Sequence, residues 1–147
     1  MDLGTGQEHW TFATGGPVRL APAVADDRVY VASDDGFLYC LSAAPQGKAG
    51  GQPMLHWSVR GGPTESLVLG NDRLISRWPL RGGPVIHDGT VYFGAGIWPS
   101  EGVYIHALDA RTGKRRWRNG ESGSLRMAQP HPGAFAASGV SARGYLA

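Results

Sequence analysis

One short phrase occurs twice in this chain, and its recurrence constrains the fold more than any single residue does. The phrase holds an aspartate, a threonine, a glycine and a tryptophan at fixed spacing, and its two copies begin 107 residues apart: Asp2, Thr5, Gly6 and Trp10, then Asp109, Thr112, Gly113 and Trp117. A degenerate copy lies between them, in which Leu41-Ser42-Ala43 matches Leu108-Asp109-Ala110 and Trp57 takes the tryptophan position. A period of roughly 40 to 50 residues is typical of propellers and other repeat proteins, whose units bury their cores only against each other.

The segments between the tryptophans are short and rich in Val, Ile, Tyr and Phe, and Asp-Gly, Asp-Asp-Gly or Thr-Gly turns separate them. Such segments favour antiparallel strands joined by tight hairpins, four to a unit, as in a propeller blade. We expect tryptophan strands at 8–13, 55–59 and 115–118, and almost no helix, because no segment sustains a 3.6-residue apolar period. The predicted fold is all-β: a partial β-propeller of about two four-stranded antiparallel blades plus the start of a third.

The repeats occupy residues 1–118, with one large interruption. Residues 64–80 lie between two Arg-Gly-Gly-Pro phrases and predict an inserted hairpin that turns at Asn71-Asp72. A hairpin added to a regular scaffold often carries function. Residues 119–147 are interpreted as a poorly ordered tail leading into a truncated next blade, with only 144–147 indicating a new strand.

The motif residues have a physical role in this scheme. Asp and Thr side chains accept hydrogen bonds from the backbone of a turn, and Gly6 and Gly113 suit a left-handed backbone position. Trp10, Trp57 and Trp117 then lie on outer strands, where each ring covers the gap to the next blade while its N–H reaches a backbone acceptor.

Composition and charge exclude several classes of protein. The formal net charge is +2, and only 18% of residues are charged. This is too little positive charge to predict nucleic-acid binding. No apolar run is long enough to predict a membrane span. No export signal opens the chain, which is interpreted as a piece of a longer protein. The single cysteine, Cys40, excludes an internal disulfide and is predicted to be a buried, inert thiol.

The segment from Leu108 to Trp117 resembles the signature of the pyrroloquinoline-quinone (PQQ)-like repeat. Two further segments, Pro22 to Gly36 and Tyr39 to Ala43, resemble the rest of that repeat. The resemblance implies a propeller of the superfamily that includes quinoprotein alcohol dehydrogenases and BamB-like outer-membrane assembly lipoproteins, and it implies a periplasmic or cell-envelope location. The middle unit diverges, because Ser42 stands where the motif has Asp. The quinoprotein alcohol dehydrogenases share a vicinal disulfide, a calcium site and a catalytic Asp. No segment of this chain matches any of these three features.

The function that this resemblance favours is a non-catalytic scaffold or protein-interaction module of a bacterial envelope protein, whose partners are proteins or neighbouring blades. No cofactor is predicted for it. One alternative is part of a quinoprotein dehydrogenase whose catalytic blades, with PQQ and calcium, lie outside this sequence. A second alternative is the sensor domain of a membrane receptor.

No residue is predicted to be catalytic, cofactor-binding or metal-ligating. The tryptophan and proline residues that lack a counterpart in the repeat are candidates for a recognition surface, with extra packing as the alternative: Trp78, Trp98 and Pro99. The five histidines are scattered and are expected on the surface or on strand faces. The basic run 114–118 is expected on a solvated sheet edge, and the aspartates at 26–27, 34–35 and 88 are expected to form turns, with calcium binding as the alternative.

Overall fold

The backbone is built almost entirely of strands. The computed structural model describes residues 4–45, 51–70, 72–120, 125–138, 141 and 144–145. Within these residues the only helical turn is a 3₁₀ segment at Pro99–Glu101. The prediction of an all-β chain with almost no helix is therefore confirmed.

The first blade is a four-stranded antiparallel sheet whose strands follow one another in chain order. Its strands are β1 (Ala23–Ala25), β2 (Arg28–Ala32), β3 (Phe37–Pro45) and β4 (Pro53–Arg60). Cys40 of β3 lies opposite Tyr30 on one side and opposite Trp57 on the other. The tryptophan strand is thus the outermost strand of its blade.

The second blade repeats this arrangement. Its strands are β8 (Val85–His87), β9 (Thr90–Ala95), β10 (Tyr104–Asp109) and β11 (Arg115–Asn119), and β11 with Trp117 forms the outer edge. Asp88 and Gly89 both have positive φ, 45° and 65°, as a tight two-residue hairpin between β8 and β9 requires.

Three two-stranded elements complete the described structure. The inserted hairpin pairs β5 (Leu67–Gly70) with β6 (Arg73–Ser76), β7 (Gly82–Gly83) pairs in parallel with β14 (Gly144–Tyr145), and β12 (Leu125–Ala128) pairs with β13 (Phe135–Ser138).

The strand expected at 144–147 is present at its first two residues, and the other two lie outside the described residues. The β12–β13 hairpin was not predicted. The prediction of a strand at 8–13 is wrong: this segment does not form a strand, because no described strand pairs with it.

The core lies between the two blades and is apolar on both sides. Leu38 and Cys40 of the first blade and Phe93 and Leu108 of the second are fully buried, and Tyr30 is 2% exposed. Each large apolar side chain buried in this way contributes about 2–3 kcal/mol. Burial also raises the pKa of the Cys40 thiol, as expected for an inert buried cysteine.

Two tryptophans join neighbouring repeat units through the same kind of acceptor. The Trp57 indole N–H donates to the Ala110 carbonyl at 3.2 Å, and the Trp10 indole N–H donates to the Ala43 carbonyl at 2.8 Å. Ala43 and Ala110 hold the same position in the aligned repeats. Trp117, the third member, is 47% exposed and packs beside Tyr92 with ring centroids 6.2 Å apart.

The motif turn before β11 shows why the repeat needs its polar residues. Asp109 Oδ1 accepts hydrogen bonds from the backbone N–H of Thr112 at 2.9 Å and from the Thr112 hydroxyl at 2.8 Å, while Oδ2 accepts from Arg116 at 3.0 Å. These hydrogen bonds lower the pKa of Asp109 to about 2. The bond from the Thr112 N–H has the largest effect, and the bond from Arg116 has the next largest. In the first copy the Thr5 hydroxyl accepts from the N–H of Gln7, and Asp2 lies outside the described residues.

Candidate interaction surface

The inserted hairpin is attached to the scaffold through its inner face and through β6. Ile75 on the inner face is only 1% exposed. The backbone N–H of Ser76 donates outward to the Asp34 carbonyl at 2.9 Å, which ties β6 to the β2–β3 turn of the first blade. The N–H of Arg77 donates to the Ser66 carbonyl at 2.9 Å and closes the base of the hairpin. The hairpin is thus fixed on the scaffold near its base, at Ser76 of β6 and through the buried Ile75.

The outer face of the hairpin is apolar and exposed. Side chains alternate along a strand, so Leu67 and Leu69 share one face, and Leu74 joins them because it lies directly opposite Leu69. Their exposed fractions are 53%, 77% and 64%. A hairpin that is apolar on both faces is unusual for an element that packs on only one side, so its exposed face is a candidate contact surface.

A cleft of about 280 Å³ adjoins the hairpin. Its lining combines the hairpin with the 3₁₀ segment: Val68, Leu69, Arg77, Trp98, Ser100 and Glu101. Arg77 and Glu101 form an ion pair across it at 3.4 Å, and both side chains are a little over one-third exposed. The cleft therefore offers apolar walls beside a balanced pair of charges.

The structure separates the three candidate recognition residues. Trp98 is partly exposed in the cleft, and Pro99 begins the adjoining 3₁₀ segment. Trp78 is 7% exposed, its indole N–H donates to the Glu101 carbonyl at 2.6 Å, and its ring lies against Tyr104. The prediction that Trp78 belongs to a recognition surface is wrong. Trp78 instead provides extra packing, because its ring holds the 3₁₀ segment against the second blade.

A buried carboxylate with two arginines lies beneath the hairpin. Asp34 is fully buried and accepts from Arg19 Nε at 2.6 Å and from Arg81 at 3.1 and 3.2 Å. The two guanidiniums come from the segments that precede the first strand of each blade. Asp34 lies in the β2–β3 turn, as expected. Its side chain has a further role that was not predicted, because it joins the segments that lead into the two blades.

His106 lies on a strand face of β10, within the expectation for the histidines, but its burial was not predicted. It is 2% exposed, stacks on Phe93 with ring centroids 4.6 Å apart, and its Nε2 lies 2.8 Å from the Gly61 carbonyl. Burial lowers its pKa to about 4, although the Gly61 carbonyl opposes the shift. His106 is therefore a neutral core residue. No sequence signal marked it, because β10 carries apolar residues on both sides of it.

The other predicted features fall on the surface or lie apart. The basic run 114–118 is exposed, and β11 is an edge strand, as predicted. Among the described residues no three His, Cys, Asp or Glu side chains gather as metal ligands. No helix in the described part of the chain has the length and apolar character needed to cross a bilayer.

The sequence matches the family model for the outer membrane protein assembly factor BamB over residues 1–119. This chain belongs to that family. Its fold is also similar to that of BamB from Moraxella catarrhalis, at 22% identity and a TM-score of 0.58, over 87% of this chain and 32% of the Moraxella chain. The BamB-family chain described here thus spans about one-third of that relative.

Two quinohemoprotein alcohol dehydrogenases are similar over shorter stretches. The one from Pseudomonas putida has 28% identity and a TM-score of 0.48, over 69% of this chain and 13% of its own. The one from Comamonas testosteroni has 28% identity and a TM-score of 0.49, over 70% of this chain and 13% of its own. No curated protein matches this BamB-family chain.

Proposed function

We propose that this chain is a non-catalytic, protein-binding part of a BamB-like propeller in the bacterial cell envelope. The family match supports the scaffold, and the inserted hairpin supports the binding role. The observation that carries the proposal is the exposed leucine face of Leu67, Leu69 and Leu74, on an element that the repeat does not require. In this proposal the blades hold the hairpin in place, and the chain itself binds no quinone or metal.

The scaffold is suited to this role because the hairpin is fixed at its base. Ser76 is bonded to the first blade, and Trp78, just beyond the hairpin, packs against the second. A contact surface held on rigid elements loses little conformational entropy when a partner binds.

The proposal is tested in the full-length protein, in the bacterium that makes it. A photo-crosslinking amino acid at position 69 should give a discrete adduct with a protein of the envelope. The same amino acid at Lys114, which is exposed in the turn before β11, is the matched control and should give no such adduct.

Two results would contradict the proposal. One is crosslinking at position 69 no stronger than at position 114. The other is reduction of an artificial dye by the purified full-length protein with alcohols or sugars, once PQQ and calcium are supplied, which would support the dehydrogenase alternative.

A further inference from the structure

We propose that the outer edge of β5 binds an uncharged, extended segment of another polypeptide, apolar at alternate residues, as an added β-strand. This inference rests on the proposed protein-binding function and specifies the chemistry of its partner. Four features of the hairpin carry it: the direction of its backbone groups, its side chains, its size and its charge.

The backbone of β5 presents unpaired hydrogen-bonding groups to solvent. The bond from Arg77 N–H to the Ser66 carbonyl makes that pair a hydrogen-bonded one, so the next pair, Leu67 with Ser76, is not hydrogen-bonded within the hairpin. The alternation then makes Leu69 with Leu74 non-bonded as well. The N–H and C=O groups of these residues therefore point outward, as the bond from Ser76 to the first blade shows directly.

Of the two edges, only that of β6 is bonded to the scaffold within the described residues, and the bond lies at Ser76. Ser76 on β6 uses its outward N–H to reach Asp34, whereas the outward groups of Leu67 and Leu69 on β5 have no backbone partner within the described part of the chain. An open edge of this kind is a template for strand addition. The exposed side chains of Leu67 and Leu69 would contact alternate residues of the added strand.

The size of the edge selects a linear segment over a folded domain. Four residues of strand span about 13 Å. A stable interface between folded proteins needs about 800 Å² from each partner, more than such an edge supplies. A short extended segment can use the whole edge, and the adjoining cleft beside Leu69 has room for one of its apolar side chains.

The charge around the hairpin is balanced, which favours a neutral partner. Arg60 binds Glu65 at 2.7 Å, and Arg77 binds Glu101 at 3.4 Å. Arg73 follows Asp72 in the sequence at the hairpin tip, so the arginines at positions 60, 73 and 77 are offset by three acidic residues. A nucleic acid or an anionic membrane surface would find no excess of positive charge here.

The test uses the 147-residue chain and a short, capped, fluorescein-labelled peptide in which threonine and valine alternate, with binding measured by fluorescence anisotropy. We expect the peptide to bind the unaltered chain. A second peptide, N-methylated on the amides that would face β5, should not bind, because it lacks the donors. A third, in which glutamate replaces threonine, should bind no better than the neutral peptide.

The protein variants separate strand addition from simple packing on the leucine face. Leu69→Lys places a charge on the bonding edge and should weaken binding of the neutral peptide about tenfold. Leu74→Lys is the matched control, because Leu74 is similarly exposed on the same face but lies on β6, beyond β5 from the added strand. It should change binding by less than about twofold. Circular dichroism and a melting curve for each variant test whether both are folded.

Any of four results would overturn the inference. Two concern the neutral and N-methylated peptides: no binding of the neutral peptide up to about millimolar concentration, or undiminished binding of the N-methylated peptide. The other two are tighter binding of the glutamate peptide and equal weakening by Leu69→Lys and Leu74→Lys. Such a result alongside a specific crosslink at position 69 would leave the protein-binding function standing and would reject only strand addition. Failure of the crosslink would instead reject the proposed function itself.

Discussion

Substitution of Gly113 by alanine tests whether the tryptophan joint between the blades depends on close backbone contact. Gly113 has φ of 70°, and a methyl group added to it would lie 2.8 Å from Cδ2 and 2.9 Å from Cγ of Trp57. These distances are shorter than real side-chain contacts, so either the ring or the turn must move. Gly89, in the β8–β9 turn, has a similar φ of 65° but nothing within 4 Å of the added methyl.

The two substitutions share the cost of the left-handed backbone and differ in the clash. Alanine at positive φ costs about 1 kcal/mol, and overpacking a well-packed contact costs about 1–3 kcal/mol more. Gly89→Ala should therefore destabilise the chain by about 1 kcal/mol and Gly113→Ala by about 2–4 kcal/mol. With a urea dependence of about 2 kcal/mol per molar, the unfolding midpoints of the two variants should differ by about 0.5–1.5 M.

Urea unfolding followed by far-ultraviolet circular dichroism measures this difference. A second experiment removes the indole ring that the added methyl group would meet. In a Trp57→Leu background, Gly113→Ala should lower the free energy of unfolding by only about 1 kcal/mol, the backbone contribution alone. Equal destabilisation by the two alanine variants would refute the argument, as would an undiminished cost of Gly113→Ala in the Trp57→Leu background.

Three further predictions concern the buried polar groups. Burial lowers the pKa of His106 from 6.5 to about 4, so between these pH values the unfolded chain binds a proton that the folded chain does not. The free energy of unfolding should therefore fall by up to about 3 kcal/mol as the pH drops from 6.5 to 4. Urea midpoints measured across this pH range check the prediction, and a His106→Gln chain should lack this part of the pH dependence. Cys40 is fully buried, so a chromogenic disulfide reagent should label it only at the rate of unfolding, and rapid labelling of the folded chain would contradict the structure. Asp34→Asn should destabilise by about 2–3 kcal/mol, because it leaves two partly exposed arginines without their carboxylate, whereas Asp88→Asn, on an exposed turn, should stay within about 0.5 kcal/mol in the same thermal melts.

The repeat pattern predicted the parts of the fold that depend on local chemistry. Strands β1 to β4 and β8 to β11 lie between the Asp- and Gly-containing turns of the sequence, because these turns need positive φ that Asp and Gly tolerate. The hairpin at residues 64–80 was visible because it interrupts the repeat. The segment 8–13 looked like another tryptophan strand, but strand formation needs a neighbour, and the composition of a segment does not reveal whether one is present.

The candidate surface was predicted only in part, because exposure depends on contacts between distant segments. Trp78 and Trp98 looked equivalent in sequence, yet Trp78 is buried against Tyr104 and Trp98 borders the cleft. The Asp34 cluster joins residues from three segments, and nothing in the Asp-Asp-Gly turn distinguishes Asp34 from Asp35. One signal was available for the open edge: Leu67 and Leu69 alternate with Val68, so both faces of β5 are apolar.

The recurring bond from a tryptophan to an alanine carbonyl has a consequence for how such proteins change over evolutionary time. Trp10 meets Ala43 as Trp57 meets Ala110, so both sides of the connection are interchangeable between units. A recombination event that duplicated or removed one whole unit would bring together two halves that already match. Lineages can therefore gain or lose units without inventing a new contact, while each unit remains free to acquire its own insertions at the rim.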